Sequence, residues 1–398
     1  MRIKVDYAFI GHDLKLERDV CIDLSSREIE NIEPRCQETP DLYIASSIAI
    51  PPLCNAHTHP MDVVIAEYGE ELELHQLVSL PNGLKYRKLA EIDKHRVAEA
   101  VTAYLRRAVE NGVVLLAAIA ELGDLGIEVF KKTSTPWIAV DVYPQPHPDR
   151  ARDLDEYLTL VRRYRRLSMD TLLSLSLEEL NELGRVCKEV GARIQVHVSE
   201  TRKLFEYQDY VLLKHLESCA IPVHLTYVTE EVYERFIGDT PLVICPRSNA
   251  NHLGKLPEVG ILLKHVERGY AVGVGSDNGA WFTPSPLEEM HYAFIAYKSR
   301  VPDPSRLAKA LLYAVTIGCF RVLGSRYRGI DVGSLPIILI LVDPLFSYTQ
   351  NPVIAIARRG VSAEKLFVIG NQVVPLPSKD VFRSKLLHTI VSSIAPSH

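Results

Sequence analysis

Four short stretches of this chain end an apolar run in a side chain that binds metal. They are Ile50-Pro51-Pro52-Leu53-Cys54-Asn55-Ala56-His57-Thr58-His59, Ile194-Gln195-Val196-His197-Val198-Ser199-Glu200, Pro222-Val223-His224-Leu225, and Val272-Gly273-Val274-Gly275-Ser276-Asp277. An apolar run broken by His or Asp and then by loop-like sequence is how a buried parallel strand looks where its C-terminal end opens into a site. His57 and His59 are two residues apart, so on a strand both imidazoles leave from one face. Two such imidazoles, a third from another strand and a carboxylate make a catalytic metal site. The chemistry expected is metal-dependent hydrolysis.

Spacing describes the elements that must bring these residues together. His59 to His197 is 138 residues, His197 to His224 is 27 and His224 to Asp277 is 53, or roughly four, one and two strand–helix units of about 35 residues. Strands are expected at Ala49–Leu53, Val113–Ala120, Trp137–Val142, Thr171–Leu175, Arg193–Val198, Pro222–Thr226, Leu242–Cys245 and Ala271–Val274. Amphipathic stretches lie between them, such as Glu178–Val190 with Leu180, Leu183, Val186 and Val190 at helical spacing. Eight strands in that alternation predict an α/β protein, a (β/α)8 TIM barrel over 51–329 with the ligands at its C-terminal mouth. The rival, an open doubly wound sheet, lacks its glycine fingerprint, because Gly273-Val274-Gly275-Ser276-Asp277-Asn278 has no third glycine.

Both ends have a different style. Ile3–Ile10, Val20–Leu24, Ile29–Ile32 and Leu42–Ile50 are β-rich pieces, and Ile337–Val342, Val353–Ala357 and Leu366–Val374 repeat the pattern, with a hairpin signal at Gly370-Asn371. We expect one small β domain built from 1–50 and 330–398, the alternative being two independent appendages.

At 398 residues, 47% hydrophobic and 24% charged, the chain is an ordinary globular protein in composition. A net charge of −5 with no extended basic patch argues against a nucleic-acid partner. Arg162, Arg163, Arg165 and Arg166 are expected on a solvated helix face. No run is long and apolar enough for a membrane span, and Leu335–Val342 suits a buried strand. The N-terminus lacks a signal-peptide core. Seven scattered cysteines without a Cys-x-x-Cys pair predict no disulfide framework and a reducing cytoplasm, with Cys54 and Cys245 as small core residues. A small-molecule substrate is the partner implied, and a homo-oligomer is left open.

At Asn55-Ala56-His57-Thr58-His59-Pro60, His197-Val198-Ser199-Glu200, His224, Cys245-Pro246-Arg247-Ser248-Asn249 and Gly275-Ser276-Asp277-Asn278, the chain resembles the amidohydrolase superfamily. Within it, the likeness is to the aminohydrolase branch of triazine chlorohydrolases, guanine deaminase and adenosylhomocysteine-type deaminases, and it runs over most of the chain. The resemblance implies a distorted barrel and one divalent ion, Zn²⁺ or Fe²⁺, held by His57, His59, His197 and Asp277. It implies that Asp277 takes a proton from the attacking water, that His224 steadies that water, and that Glu200 passes a proton to the substrate. As an acid, Glu200 would need its pKa raised by burial; its bland reading is a helix cap. Superfamily members with two metals bridge them by a carboxylated lysine on strand four. The stretch expected there, Asp170–Leu177, has no lysine, which favours one ion. Substrate contacts are expected from Lys85, Arg247 and Trp281, with Arg247 equally suited to bracing the rim and Trp281 to packing. Glu121, ending strand two, is a weaker pocket candidate. The reaction expected is deamination of an aminated heterocycle. Its alternatives are hydrolysis of an amide or carbamoyl bond, or a non-catalytic barrel scaffold.

Overall fold

The computed structural model describes residues 1–396, apart from the side chain of Glu217. Its strands are β1 Arg2–Ile10, β2 Lys15–Leu24, β3 Ile29–Glu33, β4 Leu42–Ile50, β5 Leu53–His59, β6 Val113–Ala120, β7 Ala139–Pro144 and β8 Arg166–Met169. They continue as β9 Arg193–Val198, β10 Ala220–His224, β11 Leu242–Ile244, β12 Val272–Val274, β13 Asp277–Asn278, β14 Ile337–Val342, β15 Glu364–Ile369 and β16 Gln372–Leu376.

The two ends of the chain form a single seven-stranded sheet, in the order β16-β15-β14-β4-β1-β2-β3. The two-appendage alternative is therefore wrong. β4 runs parallel to β1 on one side and antiparallel to β14 on the other, so it joins the N-terminal strands to the C-terminal ones. Alternation explains the unbroken apolar run of β14. Ile338 and Ile340 enter a core with Ile3, Val5, Val20 and Val368, while Leu339 and Leu341 enter the main core on the opposite face. Gly370 and Asn371 form the β15–β16 turn, with Gly370 at φ +59°, where glycine is favoured.

The middle of the chain supplies two parallel sheets, β12-β11-β10-β9-β8 and β13-β5-β6-β7. Their strands are buried along their length, which is why they read as apolar runs with few polar breaks. The expected helix over 178–190 is present as Leu177–Val190, with Ser176 and Glu179 forming a capping box and Gly191 in the left-handed region at its end.

Several expectations are corrected. The first central strand is β5 rather than Ala49–Leu53, because Pro51-Pro52 separates it from β4. The fourth is β8, and Leu172–Ser174 inside the expected strand is a 3-10 turn. β8 is also free of lysine. Arg166 belongs to β8 and not to a solvated helix face; it is 3% exposed and its Nε donates to Asp141 Oδ1 at 2.8 Å. Val353–Ala357 is helical because Asn351 caps Ile354 N–H and Pro352 takes the first turn of Pro352–Arg359.

The cysteine expectation fails too. Cys21 is bonded to Cys36 and Cys54 to Cys319, with Cα separations of 5.5 and 5.7 Å. Partners 265 residues apart leave no signal in spacing, since pairing is decided by the fold. The bonds withdraw the support that the cysteine pattern lent to a reducing cytoplasm. No helix among the described residues is long and apolar enough to cross a membrane.

Candidate metal centre

His57, His59, His197 and His224 sit towards the C-terminal ends of central strands, and Asp277 lies three residues past the end of β12. His57 and His59 are on β5, His197 is the fifth of six residues in β9, His224 ends β10 and Asp277 opens β13. The backbone turns sharply at these places. Ser199, His224, Leu225 and Asp277 have φ of +46°, +74°, +55° and +59°. Non-glycine residues there cost about 1–3 kcal/mol each and persist where surrounding packing demands them, often at functional sites. The demand on Asp277 is visible. Its carbonyl accepts from Thr58 Oγ1 at 2.9 Å, and Ser248 donates to its Oδ2. Asn55 Nδ2 donates to Ser276 Oγ at 2.7 Å, tying β5 to the turn before β13.

Two imidazoles have tautomers dictated by their neighbours. Gln195 Nε2 donates to Ala56 O at 2.9 Å, which aims its Oε1 at His57 Nδ1, 2.6 Å away. Glu121 Oε1 lies 2.6 Å from His59 Nδ1 and, as a carboxylate, accepts. His57 Nδ1 therefore carries the proton, as His59 Nδ1 does when it donates to Glu121 rather than accepting from Lys85 Nζ, 3.0 Å away; both Nε2 lone pairs then point inward, 3.2 Å apart. Asp277 Oδ1 is 3.5 Å from each Nε2. This triangle matches one face of a tetrahedron with bonds of about 2.1 Å, whose edges are about 3.4 Å. Burial keeps both imidazoles neutral: it pulls His57 down, and it brings His59 to about 3, assisted by Lys85. Asp277 is held well below the carboxylate range, because His57, His224 and His59 outweigh its burial. Inward lone pairs beside an ionised carboxylate fit a cation.

His197 approaches from the other side. His57, His197 and His224 offer nitrogens all within 4.8 Å of one another, as His57, His59 and Asp277 do, so His57 joins the two groups. His224 Nδ1 is 2.8 Å from Asn249 Oδ1, and its Nε2, fully buried without a protein partner, faces Glu200 Oε1 at 3.8 Å. Glu200 Oε2 is 3.3 Å from His197 Nδ1. Burial pushes the Glu200 carboxyl up, but His224 and His197 bring it down to about 2. The rise that service as an acid would need is therefore absent. An ionised Glu200 suits taking a proton before giving one.

The three expected substrate contacts fare differently. Arg247 is committed to the rim: Nε to Glu289 Oε1 at 2.5 Å, NH1 to Glu288, and NH2 to Thr283 O at 2.7 Å. It is a brace, and the clamp is corrected. Lys85 lines the cavity, but its ammonium is engaged by Glu121 and Asp62. Trp281 is half-buried and packs edge-on against His252, 5.1 Å between ring centroids. The cavity also reaches Asp170, Asn278 and His252. Asp170 was missed because strand four was placed one step late. Gln195 had a signal, since it lies two residues before His197 and so on the same strand face. Glu121, rated weak, is fully buried and touches a ligand.

Close approach of β5 to the turn before Asp277 demands glycine. A Cβ on Gly275 would stand 2.6 Å from His57 O and 2.7 Å from His57 Cβ. We expect Gly275→Ala to cost about 1–3 kcal/mol of stability, as overpacking does, and to lower metal content, read by urea denaturation and elemental analysis. Wild-type values in both would show that the strands can part freely.

Comparison with known proteins fits this geometry. Residues 48–373 match the Amidohydrolase family. An uncharacterized protein of Methanocaldococcus jannaschii is 27% identical over 318 residues, 75% of this chain and 80% of that protein. A 5'-deoxyadenosine deaminase of Methanopyrus kandleri is 24% identical over 365 residues, 82% and 81% of the two chains. The crystal structure of an atrazine chlorohydrolase from Arthrobacter aurescens, complexed with zinc, has the same fold, with a TM-score of 0.73, 15% identity and 99% coverage of each chain. With the match spanning both parallel sheets and every residue of the His and Asp cluster, the chain belongs to the amidohydrolase family.

Proposed function

We propose that this chain is a mononuclear metal-dependent hydrolase that deaminates an aminated heterocycle. The observation that carries the reading is the ligand-sized triangle of His57, His59 and Asp277, with ionised Glu200 and the unpartnered His224 Nε2 beside it. His57, His59, His197 and Asp277 would hold one divalent ion, Zn²⁺ or Fe²⁺, and its chemistry is to acidify a water molecule to near neutral pH. Glu200 Oε1 would take one proton of the attacking water and deliver it to the ring nitrogen next to the attacked carbon. Asp277 would take the second and return it to the exocyclic amine, so that the water oxygen replaces the amine on carbon and ammonia leaves. His224 Nε2 steadies the incoming oxygen. The deaminase from Methanopyrus kandleri supports an aminated ring as substrate class.

The same reading takes the two parallel sheets as one distorted (β/α)8 barrel over 51–329, supported by packing of β7 on β8 and of β12 on β5. Residues 1–50 and 330–398 then form the small β domain. Leu74, Val78 and Tyr86 roof the site, leaving about 20 Å³ open to the centre of a water molecule. That is room for about one water, so a ring enters only when the walls of the cavity part.

The test has two arms. Elemental analysis of protein purified without chelator should give close to one equivalent of metal, and two would defeat the mononuclear reading. A panel of aminated purines, pyrimidines, pterins and triazines, run beside N-acyl and carbamoyl compounds, should release ammonia from the heterocycles. Turnover confined to the acyl set would replace deamination with amide hydrolysis. A metal-free, silent protein would favour the scaffold.

A further inference from the structure

Behind His59 lies a cluster that the reaction above does not use. Glu121 and Asp62 are fully buried and Lys85 is 4% exposed. Lys85 Nζ is 2.7 Å from Glu121 Oε1 and 3.0 Å from Asp62 Oδ2. The oxygen of Glu121 that Lys85 reaches is the same one that meets His59 Nδ1. His59, Asp62 and Glu121 also form a third group of metal-capable atoms within 4.8 Å of one another, and the ammonium sits among them, 3.0 Å from His59 Nδ1. The space for a second cation is taken.

Two carboxylates and an ammonium buried together are expensive to desolvate, and packed apolar side chains would stabilise a fold as well or better. Stability is therefore a poor reason for this cluster, whereas its contact with an imidazole is specific. We infer that Glu121 is the positioning residue for His59, and that Lys85, braced on Asp62 as a built-in cation, holds Glu121 in place. This rests on the proposed metal site. Glu121 accepts the Nδ1 proton and so keeps the Nε2 lone pair turned inward, as partners beyond the ligands do in metal sites. Lys85 is then a structural cation of the centre and not a substrate contact.

The experiment measures Zn²⁺ affinity of the full chain by competition with a chromogenic chelator, and the visible spectrum of the Co²⁺-loaded protein. Glu121→Ala should weaken binding by about 10–100-fold. Glu121→Gln, which keeps an acceptor for Nδ1–H, should lose less, and Lys85→Met should fall between wild type and Glu121→Ala. The cobalt bands should move in each, a change that a merely structural role would not cause. Affinities within about threefold of wild type, well short of the usual loss, with unchanged bands overturn the inference and leave the metal reading standing. Two equivalents of metal in wild type overturn it as well. A wild-type chain that takes up neither ion overturns both readings. If Glu121→Ala does not fold, Glu121→Gln and Lys85→Met decide by the same threefold line.

Discussion

Glu200→Gln should keep its metal and lose turnover by about 10³-fold, within the range of 10²–10⁴ that a positioned proton-transfer group contributes. The amide is the same size as the carboxylate and still offers an oxygen to His197 Nδ1, 3.3 Å away in the wild type. His197 should therefore stay oriented. What the variant lacks is a group that can take a proton beside His224 and hand it on. His197→Ala should behave oppositely, losing metal first and activity as a consequence. Side-by-side elemental analysis and steady-state kinetics on the substrate found in the heterocycle panel separate the two. Near-wild-type turnover by Glu200→Gln would remove Glu200 from the proton path and leave Asp277 to move both protons.

The contrast between these residues and Arg247 shows what a sequence carries and where it stops. His57, His59, His197, His224 and Asp277 were legible because buried strands are apolar, so a polar side chain at the end of one stands out. Gln195 and Glu121 obey the same rule, two residues before a ligand and one residue after β6. Arg247 was not legible, because its partners Glu288 and Glu289 lie 41 and 42 residues away on another element. Which cation meets which carboxylate is a property of the folded chain. Strand four was misplaced for a related reason. β8 is four residues long and begins with an arginine, whose burial makes sense only once Asp141 on β7 is beside it. The helix Pro352–Arg359 is different, since Asn351-Pro352 is a recognisable start signal that an apolar, β-like composition outvoted.

Removing the Cys54–Cys319 bond should cost this chain more stability than removing Cys21–Cys36. The Cys54–Cys319 bond closes a loop of 265 residues. Loop-closure entropy for that length is about 5.6 kcal/mol at 25 °C, against about 3 kcal/mol for the 15-residue Cys21–Cys36 loop. With an unfolding entropy of about 2.1 cal/mol/K per residue, a 398-residue chain should drop in Tm by about 7 °C for the first bond and about 4 °C for the second. The two loops do not overlap in sequence, so their effects should add. Cys54 and Cys319 are both fully buried, so a Cys54→Ala, Cys319→Ala chain also loses packing around the sulfurs. Comparing it with wild type after both are reduced, when neither holds the Cys21–Cys36 bond, separates that loss from the cross-link. Cys54 lies on the same strand as His57 and His59, so metal content should be followed in the same samples. Non-reducing peptide maps should show both bonds. Alkylation of Cys54 and Cys319 in unreduced, unfolded protein, with a drop in Tm on adding reductant no larger than the about 4 °C of the Cys21–Cys36 bond, would mean that the pair meets without bonding. Cys54 would then be the small core residue that the sequence suggested.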